Sequence, residues 1–288
     1  MSIDLSKLKA GGFIAQCQRD YFCLRVRIPC GNVTKEQMIK LAEISEKFGK
    51  GYLHITSRQG FEIPFVHIDN FDSVVNEFKS VDLVMGACGP RVRVVTACQG
   101  SNICPQGIGE SDELARRLDE TYYGKEEREL PHKFKMGVTG CPSDCLKAQE
   151  NDLGFLGVAE PVLCEKEGEE CSSCGLCVEV CPGKAITLVD GKPVIDKSKC
   201  YKDAKCVLSC PTSALKIKRQ GWDVYIGGRF GKEPELGKFF TGPVSTDEAV
   251  KVAGQVLEAY IELANRGERL GVFINRIGLD KFKERAGV

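Results

Sequence analysis

Sixteen of the 288 residues are cysteine, and twelve of these lie between Cys98 and Cys210. Cys171, Cys174, Cys177 and Cys181, followed by Pro182, read C-x2-C-x2-C-x3-C-P, the run that holds iron–sulfur cubes in bacterial ferredoxins. A second run follows, with Cys200, Cys206 and Cys210, then Pro211, and Asp203 where a further thiolate would stand. In two-cluster ferredoxins the last thiolate of a run crosses to the other cube. That rule gives Cys171, Cys174, Cys177 and Cys210 to one cluster. It gives Cys181, Cys200 and Cys206 to the other, with Asp203 as candidate fourth ligand. Seven cysteines in this rhythm do not suit a paired C-x2-C zinc site. A carboxylate is a harder ligand than a thiolate. Asp203 is therefore either an exchangeable ligand of a [4Fe–4S] cluster or a solvated acid between Lys202 and Lys205 beside a [3Fe–4S] cluster.

A second quartet is spaced differently: Cys98 and Cys104 (TACQGSNIC), then Cys141 and Cys145 (GCPSDC), with 36 residues between the pairs. Four thiolates suffice for a further [4Fe–4S] cluster. Cys17, Cys23, Cys30, Cys88 and Cys164 share no spacing and read as small buried hydrophobes. A chain of this length, sized for about two domains, buries a core without disulfide staples, so its thiols point to metal. Lys+Arg and Asp+Glu are both 40, which excludes a nucleic-acid binder relying on bulk positive charge. No apolar run is long enough for a membrane span, and the first residues lack the apolar core of a secretory signal. The composition reads as a cytoplasmic metalloprotein.

The elements that must position these thiols are legible in the periodicity. Phe22, Leu24, Val26 and Ile28 alternate with Cys23, Arg25 and Arg27, as in a strand with one buried face. Thr34 and Gln37 form a capping box for a helix to about Phe48, which Gly49 ends. Strands at 51–57 and 62–68, a helix at 70–79 and a strand at 91–97 complete β-α-β-β-α-β, the ferredoxin-like order. A helix from Ser111, its expected cap, runs to Tyr122, and a strand follows at 133–139. The segment 162–217 reads as an insertion, after which a strand (222–226) and a helix (about 246–265) resume. The expected class is α+β, with residues 1–80 as a half domain, 81–161 and 218–288 as the cluster domain, and 162–217 as an inserted two-cluster ferredoxin domain.

Arg25, Arg27, Arg58, Arg93, Lys133 and Lys135 all fall in or just after these strands. A neutral chain that gathers six cations near a cysteine quartet is suited to an anion. With TSRQ (56–59), RVVTAC (93–98), KFK (133–135), GCPSDC (140–145), DLGFLG (152–157), YIGGRFGKEPELGKFF (225–240) and KFKER (281–285), the chain resembles the sirohaem-dependent nitrite and sulfite reductases. Among them it is most similar to the catalytic C subunits of anaerobic sulfite reductases. The resemblance implies that the quartet holds a [4Fe–4S] cluster whose Cys145 also ligates sirohaem iron. Arg25, Arg27, His54, Thr56 and Gln59 would then bind the sirohaem, and Arg58, Arg93, Lys133 and Lys135 the substrate anion. It implies six-electron reduction of sulfite to sulfide, with electrons relayed by the ferredoxin segment from a ferredoxin, flavoprotein or iron–sulfur subunit. Nitrite reduction and a non-enzymatic electron carrier are the alternatives. Two departures stand out: Cys30 in VRIPCG replaces a glycine, and Asp203 replaces a cysteine. Because double-length relatives look like two fused copies of this unit, a homodimer or hetero-oligomer is implied.

Overall fold

The computed structural model describes residues 4–124 and 129–288. The chain first forms helix α1 (Leu5–Ala10), strands β1 (Phe13–Ala15) and β2 (Tyr21–Arg27), and helix α2 (Lys35–Phe48). Strands β3 (His54–Ile55) and β4 (Phe61–His67), helix α3 (Phe71–Lys79) and strand β5 (Val84–Met85) follow. They make an antiparallel sheet in the order β1-β2-β4-β3, with β5 also on β2. Alternation along β2 buries Phe22, Leu24 and Val26 against Leu41 and Ile44 of α2 and Val74 and Phe78 of α3. The capping box of Thr34 and Gln37 is present as read.

The strand expected at 91–97 does not complete this sheet. Only Thr96–Ala97 (β6) is regular strand, joined by a bridge from Val92 to Phe134, and β6 pairs with the next sheet instead. Alternation says which face of a strand is buried but not which sheet takes it, and short β5 supplies the missing pairing to β2.

The second half contains α4 (Ser111–Tyr122), β7 (Met136–Thr139), β8 (Leu153–Leu163), α5 (Leu176–Glu179), β9 (Ile186–Val189) and β10 (Lys192–Ile195). It continues through α6 (Lys205–Leu208), β11 (Leu215–Ile226), β12 (Lys238–Val244), α7 (Thr246–Leu263), α8 (Leu270–Ile277) and α9 (Leu279–Ala286). Its sheet runs β12-β11-β8-β7-β6, with β6, β7 and β8 parallel. Parallel strands are covered on both faces, and all four residues of β7 are buried. Phe134, Met136, Phe155, Trp222, Tyr260, Phe273 and Phe282 join this sheet to its helices in one core. Helix α4 starts where expected, but Ser111 is not its cap. The Ser111 hydroxyl instead donates to the Cys98 carbonyl at 2.8 Å.

Strands β8 and β11 pair antiparallel from Leu153 and Ile226 out to Leu163 and Leu215. Residues 164–214 lie between these strand ends. They form the β9–β10 hairpin and short α5 and α6, around a small core of Cys177, Ile186, Cys206 and Leu215.

Candidate active site

Where the two sheets meet there is a cavity of about 300 Å³. Arg25 of β2, Arg58 after β3, Arg93 before β6, and Lys133 and Lys135 before β7 all line it. Glu62 is the one acid among the described lining residues. It accepts from Arg25 Nε at 2.7 Å, and Arg25 also donates to the buried Cys88 thiol at 2.9 Å.

The two deeper arginines are held by backbone. Arg58 donates to the carbonyls of Val94 (2.7 Å) and Met136 (3.1 Å) and to Asn151 Oδ1 (2.8 Å). Arg93 donates to the carbonyls of Ala87 and Gly89. Both keep a buried Nε without a partner among the described residues. Burial pushes the Arg58 guanidinium down to about 10, with Arg93 adding to the effect and Asp152 opposing it. Burial, then Arg58, Lys133 and Arg269, push the Lys135 ammonium down to about 8. Lys133 is lowered for the same kinds of reason. A pocket whose own cations destabilise one another, with two orphan guanidinium donors, fits an anionic occupant.

The cysteine quartet is built at the far ends of β6 and β7, the strands that Arg93, Lys133 and Lys135 precede. Parallel β6 and β7 run side by side, with Ala97 opposite Val138, so Cys98 and Cys141 leave neighbouring strand ends. Glycines let the two loops touch. A Cβ on Gly140 would stand 2.7 Å from Gly100 Cα, and one on Gly157 would stand 2.5 Å from the Gly140 carbonyl. Gly140 N–H donates to Cys98 Sγ at 3.1 Å, and its carbonyl accepts from the amides of Ile108 and Gly109. Asp144 accepts from the Ala148 and Gln149 amides and shapes the loop that presents Cys145, which is exposed.

In the 164–214 segment, Cys171, Cys174, Cys177 and Cys210 line one small cavity, the set that the ferredoxin rhythm assigns to one cluster. The other set also stands together. Burial first, then the neighbouring charges of Cys200, Asp203 and Cys181, push the Cys206 thiol up to about 12. Among the described residues no three such side chains could hold a single metal ion. Thiols at the corners of a cube spread more widely than those around one ion. Asp203 does not pair with Lys202, whose ammonium binds Asp223 at 2.8 Å; it accepts the Lys205 amide at 3.2 Å.

Residues 88–288 match the model of the nitrite and sulphite reductase 4Fe-4S domain, and residues 14–81 match that of the nitrite/sulfite reductase ferredoxin-like half domain. The chain belongs to the nitrite and sulphite reductase family of oxidoreductases. It is 32% identical to the coenzyme F420-dependent sulfite reductase of Methanocaldococcus jannaschii over 95% of its own length, and spans 43% of that relative. It is 31% identical to the C subunit of the anaerobic sulfite reductase of Salmonella typhimurium, covering 99% of this chain and 90% of that one. Among solved structures, dissimilatory sulfite reductase I matches with a TM-score of 0.75 at 20% identity, over 93% of this chain and 69% of the other. At that identity the likeness bears on fold alone.

Within this family fold, the residues read from sequence divide. Arg25, Thr56, Arg58, Arg93, Lys133 and Lys135 meet at one cavity. Arg27 does not. It pairs with the buried Asp119 of α4 and lies over the Tyr123 ring at 4.5 Å. His54 is exposed and away from the cavity lining. Gln59 pairs both its amide atoms with the backbone of Ala97 (2.7 and 2.9 Å), clamping the half domain beside Cys98. Among the described residues no cysteine lines the cationic cavity. Cys30 and Cys88 are buried as read, whereas Cys17 is exposed. The buried Asp152–Arg269 pair, at 2.8 Å, was not legible, because its partners are 117 residues apart. Arg269 adds to the field that depresses Lys133 and Lys135.

Proposed function

We propose that this chain is a sulfite reductase subunit that carries sulfite to sulfide with six electrons, using sirohaem coupled to the [4Fe–4S] cluster of Cys98, Cys104, Cys141 and Cys145. The observation that carries this reading is the cavity with five cations and one acid, of which Arg93, Lys133 and Lys135 precede the strands that lead into Cys98 and Cys141. Cys145, exposed at its loop, is the thiolate suited to reach a second iron. When bound, sirohaem would supply an iron able to ligate sulfite and to accept electrons one at a time.

The chain's own residues then divide the remaining work. Arg58 and Arg93, their forks fixed on carbonyls, hold positive charge at the cavity wall and offset negative charge as it builds up on the substrate. Lys135, held near pKa 8, can give a proton to an oxygen leaving as water and be reprotonated at neutral pH. Arg25, already charged against Glu62, is placed to hold a carboxylate of the macrocycle.

The 162–217 segment serves in this reading as a two-cluster ferredoxin domain, relaying electrons from a ferredoxin, flavoprotein or iron–sulfur subunit. Its support is the pair of four-ligand sets, in each of which the two cysteine runs mix. The active unit is a dimer. Each site takes Lys133 and Lys135 from one chain and the Cys98–Cys145 quartet from the other. From Lys135 to Cys141 the chain runs the length of β7, roughly 20 Å at strand rise, which separates the two sets within one chain.

Anaerobic purification followed by iron, acid-labile sulfide and sirohaem analysis tests this, with reduced-dye oxidation by sulfite and by nitrite on the same sample. Sirohaem with faster sulfite turnover is the expected result. Faster nitrite turnover would make the chain a nitrite reductase, and iron–sulfur clusters without tetrapyrrole would leave an electron carrier.

A further inference from the structure

The two four-ligand sets of the 164–214 segment are not equivalent in their distance from the quartet. Strand β8 acts as a ruler. At Gly157 it touches the Gly140 carbonyl so closely that a Cβ would stand 2.5 Å away. Gly140 immediately precedes Cys141 and donates to Cys98 Sγ. Two residues further along, Ala159 donates its amide to the Lys202 carbonyl at 2.8 Å and bridges to Asp203. The Lys202 amide in turn donates to Cys200 Sγ at 3.4 Å. Four residues beyond Ala159, Leu163 pairs with Leu215, which lines the cavity of Cys171, Cys174, Cys177 and Cys210. At strand rise these steps are about 7 Å and then about 13 Å.

Lys202 fixes the middle level. Its carbonyl is tied to β8, and its ammonium binds both oxygens of the buried Asp223 on β11 at 2.8 and 3.1 Å. Glu160 stands 3.6 Å from the same nitrogen. One residue thus fastens the second cysteine run to both β8 and β11.

We propose that the set of Cys181, Cys200, Cys206 and Asp203 is the inner one, coupled to the quartet through the Lys202–Ala159 bridge and the Gly157–Gly140 contact. Lys202 is its positioning residue, and the Cys171, Cys174, Cys177 and Cys210 set is the outer one, where a donor meets the chain. This rests on the ferredoxin reading of the segment.

The test is electron paramagnetic resonance of the dithionite-reduced holoenzyme, with iron and sulfide counted on each sample. Magnetic coupling to the quartet cluster is lost in Cys206→Ser and kept in Cys174→Ser. In Lys202→Met it weakens while iron and sulfide contents stay at the wild-type level, an effect that loss of folding alone would not give. Coupling kept in Cys206→Ser and lost in Cys174→Ser overturns the order. Unchanged coupling in a fully loaded Lys202→Met overturns the positioning role. Wild-type iron and sulfide sufficient for the quartet alone would sink the ferredoxin reading itself, and is separable by that count.

Discussion

Lys135 shows how much a single side chain can report. Its ammonium is lowered from 10.5 to about 8 by burial and by Arg58, Lys133 and Arg269, so in the free protein its charge is lost as pH rises through about 8. A bound anion favours the charged form, so anion affinity is greatest below that value and falls above it. The kcat/KM profile for sulfite, which reports the free enzyme, is expected to decline above about pH 8. In Lys135→Arg this limb disappears, because a guanidinium stays protonated. Lys135→Met removes a charge-assisted hydrogen bond and is expected to lower kcat/KM by about 10- to 100-fold. An unshifted alkaline limb in Lys135→Arg would assign the titration to another group. Alternation correctly put Arg25 and Arg27 on one face of β2, yet their partners differ. Glu62 is a cross-strand neighbour of Arg25, whereas Asp119 reaches Arg27 from 92 residues away. Strand period contains no information about such distant partners.

Elements with local signals were legible and those defined by distant pairing were not. Helix α2 announced itself through Thr34 and Gln37, and the burial of Phe22, Leu24, Val26 and Ile28 followed from period two. The sheet that takes β6 is decided by Phe134 and Val138, some forty residues on, and helices α8 and α9 owe their place to a core contact between Phe273 and Phe282 with ring centroids 5.7 Å apart. The cysteine spacings suggest candidate ligand sets, because a cube fixes how far apart its thiols stand along the chain; the glycines that bring the Cys98 and Cys141 loops together left no such signal, since their need arises across loops. Gly140→Ala would drive a Cβ into backbone of Gly100 and Gly109 at 2.7 and 2.9 Å, where nothing flexible can yield. A loss of about 1–3 kcal/mol is expected, read as a lower thermal midpoint, together with a lower iron content. Normal iron loading would show that the loops tolerate separation. Arg269→Ala leaves Asp152 buried and unpaired beneath α8, a change expected to cost about 3–5 kcal/mol. Denaturant unfolding of Arg269→Ala beside Arg269→Ala/Asp152→Asn checks it, since the double variant should recover part of the loss.

At the scale of the whole molecule, the placement of charge and thiol is the informative feature. Lys133 and Lys135 stand where β7 begins and Cys141 where it ends, and the proposed dimer has a second copy complete the site in a twofold arrangement where each chain gives what the other lacks. Mixing inactive variants separates this from a self-sufficient chain. Lys135→Met disables the cationic half and Cys145→Ser the cluster half. If each site lies within one chain, every site in any mixture carries a lesion. If sites are shared, a mixed dimer has one doubly altered site and one intact site. After equal mixing and random exchange half the dimers are mixed, so about a quarter of all sites become intact. Sulfite-dependent dye oxidation should therefore rise from near zero towards about a quarter of the wild-type rate as chains exchange. Mass spectrometry of the native mixture confirms the exchange itself. Exchanged dimers that stay inactive would place cations and quartet at the same site of one chain, with β7 spanned by the bound macrocycle instead of by a partner.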